Sequence, residues 1–489
     1  MSHFRTIVKF VAICLTVLSP VWGQLAMARD YTLPAKSSAE DINAALATAQ
    51  PGDRVVLGEG SFDLASPLQI TRDGVALVGA GSGKTVLRFL DETLDYITVE
   101  GRRFASEFAL QKDAPFNATT VVLAAGHTLK SGDMIYLQQP NTPEWIAQNG
   151  WTNVLWKEAE KRPFRESLHR VVSVQDGAIT LATALPFALS AKTATARRVV
   201  PRKNVSISGF TVTSNLGPPV SYAFTNGRPA ASKHAALRLR HVVGFEGTDL
   251  EFKDTPSSAI VLQSTIESTL DGIIVDGAHN KGGLGHGYGL ELKEAFDNRT
   301  TNLTIRNMRH AVIFSAWHAE ARNYIHVRHT NRDINFHGSV DHSNTVEIDE
   351  IALEFAPDRS RSKRRNVWPV LSPGGTNHAR TDFLSTNAVA IKSAKGSWRD
   401  DVLVGSSEGA VFEGGFGKDT FVAAGHMQIV DFEAGDRVRL VGEETLYVLV
   451  REGVDTVLRI AGQDRVRFLN VRPDQIDRAA IEFTEPANT

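Results

Sequence analysis

The chain has 489 residues, 42% of them hydrophobic, and a formal net charge of −2. That balance excludes a protein whose main business is a nucleic-acid backbone, which calls for a strongly basic surface. The only cysteine, Cys14, lies in a segment expected to be removed, so disulfides, cysteine nucleophiles and thiolate metal sites are excluded from the mature chain.

Arg5 and Lys9 precede the apolar run Phe10 to Leu18, and Ala26-Met27-Ala28 has the small-x-small form of a signal-peptidase site. Residues 1–28 therefore read as a cleaved signal, and the expected location is secreted or periplasmic. Ser19, Pro20 and Gln24 interrupt the run before it reaches the about 20 apolar residues of a membrane span. Next, "AEDINAALATAQPGDRVVLGEGSFDL" predicts a short helix stopped by Pro51-Gly52, then short strands separated by glycine turns. The stretch "LVGAGSGKTVL", Leu77 to Leu87, has the look of a phosphate-binding loop, but Val78 stands where the first glycine is required. It reads as a tight turn between two strands, with Lys84 in solvent and Thr85 opening the second.

From Asn204 to Ile351 the sequence repeats. The apolar pairs Leu250/Phe252, Ile273/Val275, Leu303/Ile305, Ile325/Val327 and Val346/Ile348 advance by 23, 30, 22 and 21 residues, and a step back of 45 reaches Val205/Ile207. A second set, Ile260/Leu262, Leu290/Leu292, Val312/Phe314 and Ile334/Phe336, advances by 30, 22 and 22. Two strand sets sharing a period near 22 predict a parallel β-helix, in which each coil buries its apolar face only by stacking on the next. The fixed Leu and Asn positions of leucine-rich repeats are absent. The shared longer step places "DGAHNKGGLGHG" in a loop leaving the coil, where a substrate could lie.

These features resemble the pectate-lyase-like superfamily of right-handed parallel β-helices. The resemblance covers roughly residues 35 to 390, as pattern and without an invariant active-site motif. It implies an all-β solenoid over residues 29–395 whose open end is capped by the first helix, and a small strand-rich insertion at about 108–200. It also implies a secreted enzyme acting on polysaccharide. Residues 396–422 divide into nonapeptides beginning at Gly396, Gly405 and Gly414, and only the last, "GGFGKDTFV", fits the calcium-binding pattern in full. If two nonapeptides make one turn, Asp401 and Asp419 stack with Ala410 opposite. The expectation is a β-roll over 396–442 that holds one calcium through Asp401, Asp419 and the loop around Gly415 and Gly417, followed by a β cap over 443–489. An ion-free remnant serving as a cap is the alternative. The stretch "MQIVDFEAGDRVRL", just C-terminal to the nonapeptides, resembles the segment that closes repeats-in-toxin arrays.

Eight of the 15 histidines fall between His279 and His342. With the coils in register, Tyr288, His310 and Arg332 form one column on one strand set. On the other set, Thr304, His326 and Glu347 form a second column, and Asp276, Arg306, Arg328 and Asp349 a third. The corner between the sets gathers Arg309, His310, Arg328, His329, Arg332 and Asp333 beside the loop carrying His286. Such a surface suits an extended anionic polysaccharide. In uronate β-elimination, cations neutralise the carboxylate, a base removes the C5 proton and an acid assists departure of O4. His310 is the expected base or acid, Arg309 and Arg332 the carboxylate partners, and Tyr288 or His337 the proton partner, with Asp333 beside them. His286, Glu291, His326, Arg328, His329 and Glu347 are the expected substrate-binding residues. A C5-epimerase, a glycoside hydrolase using Glu291, Asp333, Glu347 or Asp349, and a non-catalytic polysaccharide-binding protein remain alternatives.

Overall fold

A computed structural model describes residues 28–484 except 91–93, 149–161, 221–223, 285, 316, 337–340, 354–370, 373–386, 408 and 443–445. The expected signal lies outside these residues apart from Ala28. No helix among the described residues is long and apolar enough to cross a membrane.

The repeat folds as a parallel β-helix. Each coil gives one strand to a 17-stranded sheet and one to a 10-stranded sheet, with parallel pairing from coil to coil. Side chains alternate in and out along a strand, so the apolar pairs of both sets point into one shared core. Phe314 and Phe336 stack there with ring centroids 4.8 Å apart, which is the spacing of neighbouring strands. At the turn between the sheets, Asn298, Asn323, Asn344 and Asn387 form a buried ladder. The amide of each asparagine donates to the side-chain oxygen of the next, at 3.2, 3.0 and 3.0 Å. Buried turn amides thereby find acceptors that regular pairing does not supply.

The second strand set has the expected register throughout: Leu290 pairs with Val312 and Ile260, and Val312 with Ile334. The first set departs twice. Leu303 pairs with Val327 rather than Ile325, because the strand Arg299–Arg306 bulges around Asn302 (φ 56°). The bulge also puts Thr304 opposite His329, so the expected Thr304–His326–Glu347 column keeps only its His326–Glu347 step. Val205 and Ile207 are not two coils behind Leu250 and Phe252; Phe210 and Val212 pair with those residues directly, so one lengthened coil stands where two were expected.

The helix Ala39–Thr48 covers one end of the core with Ala39, Ile42 and Leu46, and Ser38 and Asp41 close its first turn as a capping box. In the glycine turn, a Cβ on Gly79 would lie 2.2 Å from the Gly209 carbonyl oxygen, so the residue is required by the neighbouring coil rather than by a phosphate. Thr85 is buried and opens the strand Thr85–Phe89, while Lys84 is exposed.

Strands from Arg102–Ala109 to Thr195–Val200 form a separate six-stranded antiparallel sheet with its own core. This insertion docks through Met134, Tyr136, Leu168 and Val199 onto Val243, Ile266, Phe296 and Ala321 at the coil corners. The tail adds a four-stranded parallel sheet, in which Leu403 pairs with Phe421 and Phe421 with Val438.

Candidate active site

The strand Tyr288–Phe296 runs beside His310–Phe314, and the first pair in register is Tyr288 with His310. The His310 Nδ1 atom lies 2.8 and 3.0 Å from the two oxygens of Asp333, which is itself 1% exposed. A carboxylate at Nδ1 fixes the tautomer with the proton on that nitrogen and makes Nε2 the basic atom. The Tyr288 ring is stacked on the His310 ring at 5.5 Å, and the His286 ring lies 5.3 Å from Tyr288, tilted by 43°. Burial, reinforced by the charge of Glu291, pushes the Tyr288 hydroxyl up to about 12, so it remains a proton donor at neutral pH.

The loop expected to leave the coil after Ala278 is pinned in place. Lys281 donates its Nζ to the Val220 and Asn307 carbonyls, and Arg309 donates from Nη1 to the Gly282 carbonyl at 2.6 Å. Arg309 therefore stands half-buried against the loop that carries His286. Arg332 continues the column in sequence but turns inward. It is 5% exposed, donates to the Met308 and Asn331 carbonyls, and lies under Phe224. Its guanidinium serves the coil, a position at odds with the expected contact to a substrate carboxylate.

Further along the strand, Glu291 accepts from Lys293 at 2.7 Å and from the Ser315 hydroxyl at 3.0 Å, with His286 at 3.5 Å. Burial alone would raise this carboxyl, but Lys293 and His286 outweigh it and hold Glu291 well below the usual range. Lys293 shares a face with Glu291 two residues along the same strand, whereas Ser315 is brought to it only by the pairing register.

The remaining expected residues stand elsewhere. His326, Arg328, His329 and Glu347 belong to strands of the 17-stranded sheet, not to the sheet bearing His310. There His326 pairs with Asp349 at 3.0 Å, His329 with Glu350 at 3.0 Å, and Glu347 accepts from the Tyr324 hydroxyl at 2.7 Å, while Arg328 is exposed. These are ladder residues on the coil's exterior. His337 lies outside the described residues.

In the tail, Asp401 and Asp419 are stacked as the nonapeptide spacing implies, with Asp436 extending the column. Their carboxylates accept backbone amides: Asp419 from Asp401, Asp436 from Asp419, and Asp401 from Ser397. A Cβ on Gly415 or Gly417 would come within 2.3 Å of the Ser397 oxygen or 2.4 Å of the Arg399 oxygen, so close stacking of the coils alone requires both glycines. A calcium ion at Asp401 and Asp419 would share carboxylates that already accept backbone amides, through Oδ2 of Asp401 and Oδ1 of Asp419.

No protein-family profile and no curated protein matches the chain. Solved structures resemble it at low identity. The tailspike of Acinetobacter baumannii bacteriophage AP22, in complex with a capsular saccharide, is 10% identical with a TM-score of 0.48, over 83% of this chain and 62% of that one. The chain thus spans less than two thirds of that tailspike's length. An alginate lyase from Paenibacillus sp. is 8% identical with a TM-score of 0.31, over 85% of this chain and 92% of that one. A family 28 exopolygalacturonase from Yersinia enterocolitica is 9% identical with a TM-score of 0.33, over 93% and 78%.

Proposed function

We propose that the chain is a secreted polysaccharide lyase that cleaves a uronate-containing polymer by β-elimination at Tyr288, His310 and Asp333. The observation that carries this reading is the Asp333–His310–Tyr288 arrangement, in which a base oriented by a carboxylate is stacked against a protonated phenol. His310 Nε2 takes the C5 proton, the C4–O4 bond breaks as the C4–C5 double bond forms, and Tyr288 gives its proton to O4. Arg309, next to His310 in the chain, supplies positive charge toward a substrate carboxylate.

Hydrolysis is less well served, because it needs a carboxylic acid held in its protonated form. Glu291 is ionised by its pairing with Lys293, and both oxygens of Asp333 lie within 3.0 Å of His310 Nδ1. Incubation with a panel of anionic polysaccharides, followed by unsaturated-uronate absorbance, tests the proposal. Reducing ends without absorbance would favour a hydrolase, C5 inversion without cleavage an epimerase, and binding without product a passive binder.

Calcium in the tail is proposed separately, held by Asp401 and Asp419. A fall in melting temperature on adding a calcium-selective chelator is the expected sign, and indifference would leave the repeats as a cap.

A further inference from the structure

Where the insertion meets the coils, three side chains converge that the proposed elimination does not use. Glu166 projects from the insertion strand Arg165–Gln175, Glu294 sits at a left-handed corner (φ 49°) of Tyr288–Phe296, and His318 lies between His310–Phe314 and Glu320–Ala321. His318 Nδ1 is 3.3 Å from Glu294 Oε1 and 3.7 Å from Glu166 Oε2, and one ligand atom of each residue lies within 4.8 Å of the other two. Among the described residues this is the one such group of three His, Asp or Glu side chains.

Two observations point to a missing cation. First, Glu166 and Glu294 are 7% and 6% exposed, and Glu320, 0% exposed, is close enough to feel the charges of both, as well as that of Asp341. Against the carboxyl groups of Glu166, Glu294 and Glu320 stand His318 and Arg103, whose Nη1 is 3.9 Å from Glu294 Oε2. Removing carboxylates from water costs several kcal/mol each unless they are paired. Second, Glu166 Oε2, both oxygens of Glu320 and the Tyr136 hydroxyl are buried without a hydrogen-bond partner among the described residues.

The geometry favours a small divalent ion. Ligand atoms around a tetrahedral zinc with bonds of about 2.0–2.2 Å are roughly 3.3–3.6 Å apart, close to the separations at His318 Nδ1. One imidazole with carboxylates is a donor set for zinc, whereas calcium takes oxygen ligands alone. Ser264, at the equivalent corner of the preceding coil, donates its hydroxyl to Glu294 Oε2 and leaves Oε1 facing His318, which is how outer partners orient a ligand. His318 keeps 15% of its side chain exposed, enough for the site to be reached.

We propose that Glu166, Glu294 and His318 bind one divalent metal ion, with zinc the best match, which clamps the insertion to the β-helix. The test uses the full chain, stripped with chelator and titrated with zinc chloride, read by elemental analysis, calorimetry and thermal unfolding. One zinc per chain is expected, with a melting-temperature rise of several degrees that chelation reverses. X-ray absorption of the wild-type complex is expected to show one nitrogen among oxygen ligands. Glu166→Gln is expected to weaken binding at least about 10-fold and abolish the rise, while Glu59→Gln, at an exposed turn, leaves both intact. No stoichiometric zinc or manganese in the wild type would overturn the proposal, as would a zinc response unchanged in both Glu166→Gln and His318→Gln. None of these readouts depends on lyase activity.

Discussion

His310 and Asp333 are separated by 23 residues, one coil, so the solenoid converts a sequence spacing into a 2.8 Å contact. Replacing His310 by Ala removes the proposed base, and a loss of about 10²–10⁴-fold in turnover is expected. Asp333→Asn keeps the shape but reverses the donor preference at Nδ1, and a drop of similar order with little change in KM is expected from steady-state kinetics. The asparagine ladder makes a separate prediction. Asn323 donates to the Ala295 carbonyl and accepts from the Asn298 amide, both buried. Asn323→Ala should destabilise the chain by about 2–4 kcal/mol in denaturant unfolding, without altering the chemistry at His310. The histidine cluster and the Tyr288–His310 column were legible in the sequence because they follow the coil period. The burial of Arg332 was not, since its carbonyl partners and the Phe224 ring 5.3 Å away come from other turns that the coil period does not encode.

At the scale of elements, register was readable even across the longer 30-residue step, and failed where a bulge at Asn302 shifted a strand and where one lengthened coil was counted as two. Partners distant in sequence were illegible for a related reason. Glu166 and His318 meet because an antiparallel insertion docks on coil corners, and no periodicity encodes that docking. The insertion also carries its own pH sensitivity. His169 is fully buried with Nδ1 2.9 Å from the Thr183 hydroxyl, and burial, helped by Arg322, lowers it from 6.5 to about 3. The unfolded chain therefore takes up a proton below pH 6.5 that the folded chain refuses. The stability from a neutral His169 is complete above that pH and is lost as pH falls toward about 3. At pH 5 the loss is about 2 kcal/mol. His169→Gln should flatten this part of the stability profile, measured by denaturant unfolding at pH 7 and pH 5.

For the whole molecule, the β-helix holds columns of side chains one strand apart, while the helix Ala39–Thr48 covers one end of the core and the tail continues the 17-stranded sheet. The repeat made this architecture legible, since stacking is the only way such coils bury their apolar faces. The repeat does not encode the chemistry, because the same scaffold presents histidines as ladder residues on one sheet and as an imidazole held by a buried carboxylate on the other. The central claim is that the sheet bearing His310 performs β-elimination. Absorbance of unsaturated uronate, followed for wild type and His310→Ala on a polyuronate that binds both, tests it most directly. The account predicts product from the wild type and a fall of at least about 10²-fold in the variant. Equal product from both, or none from the wild type on any bound polyuronate, would contradict it.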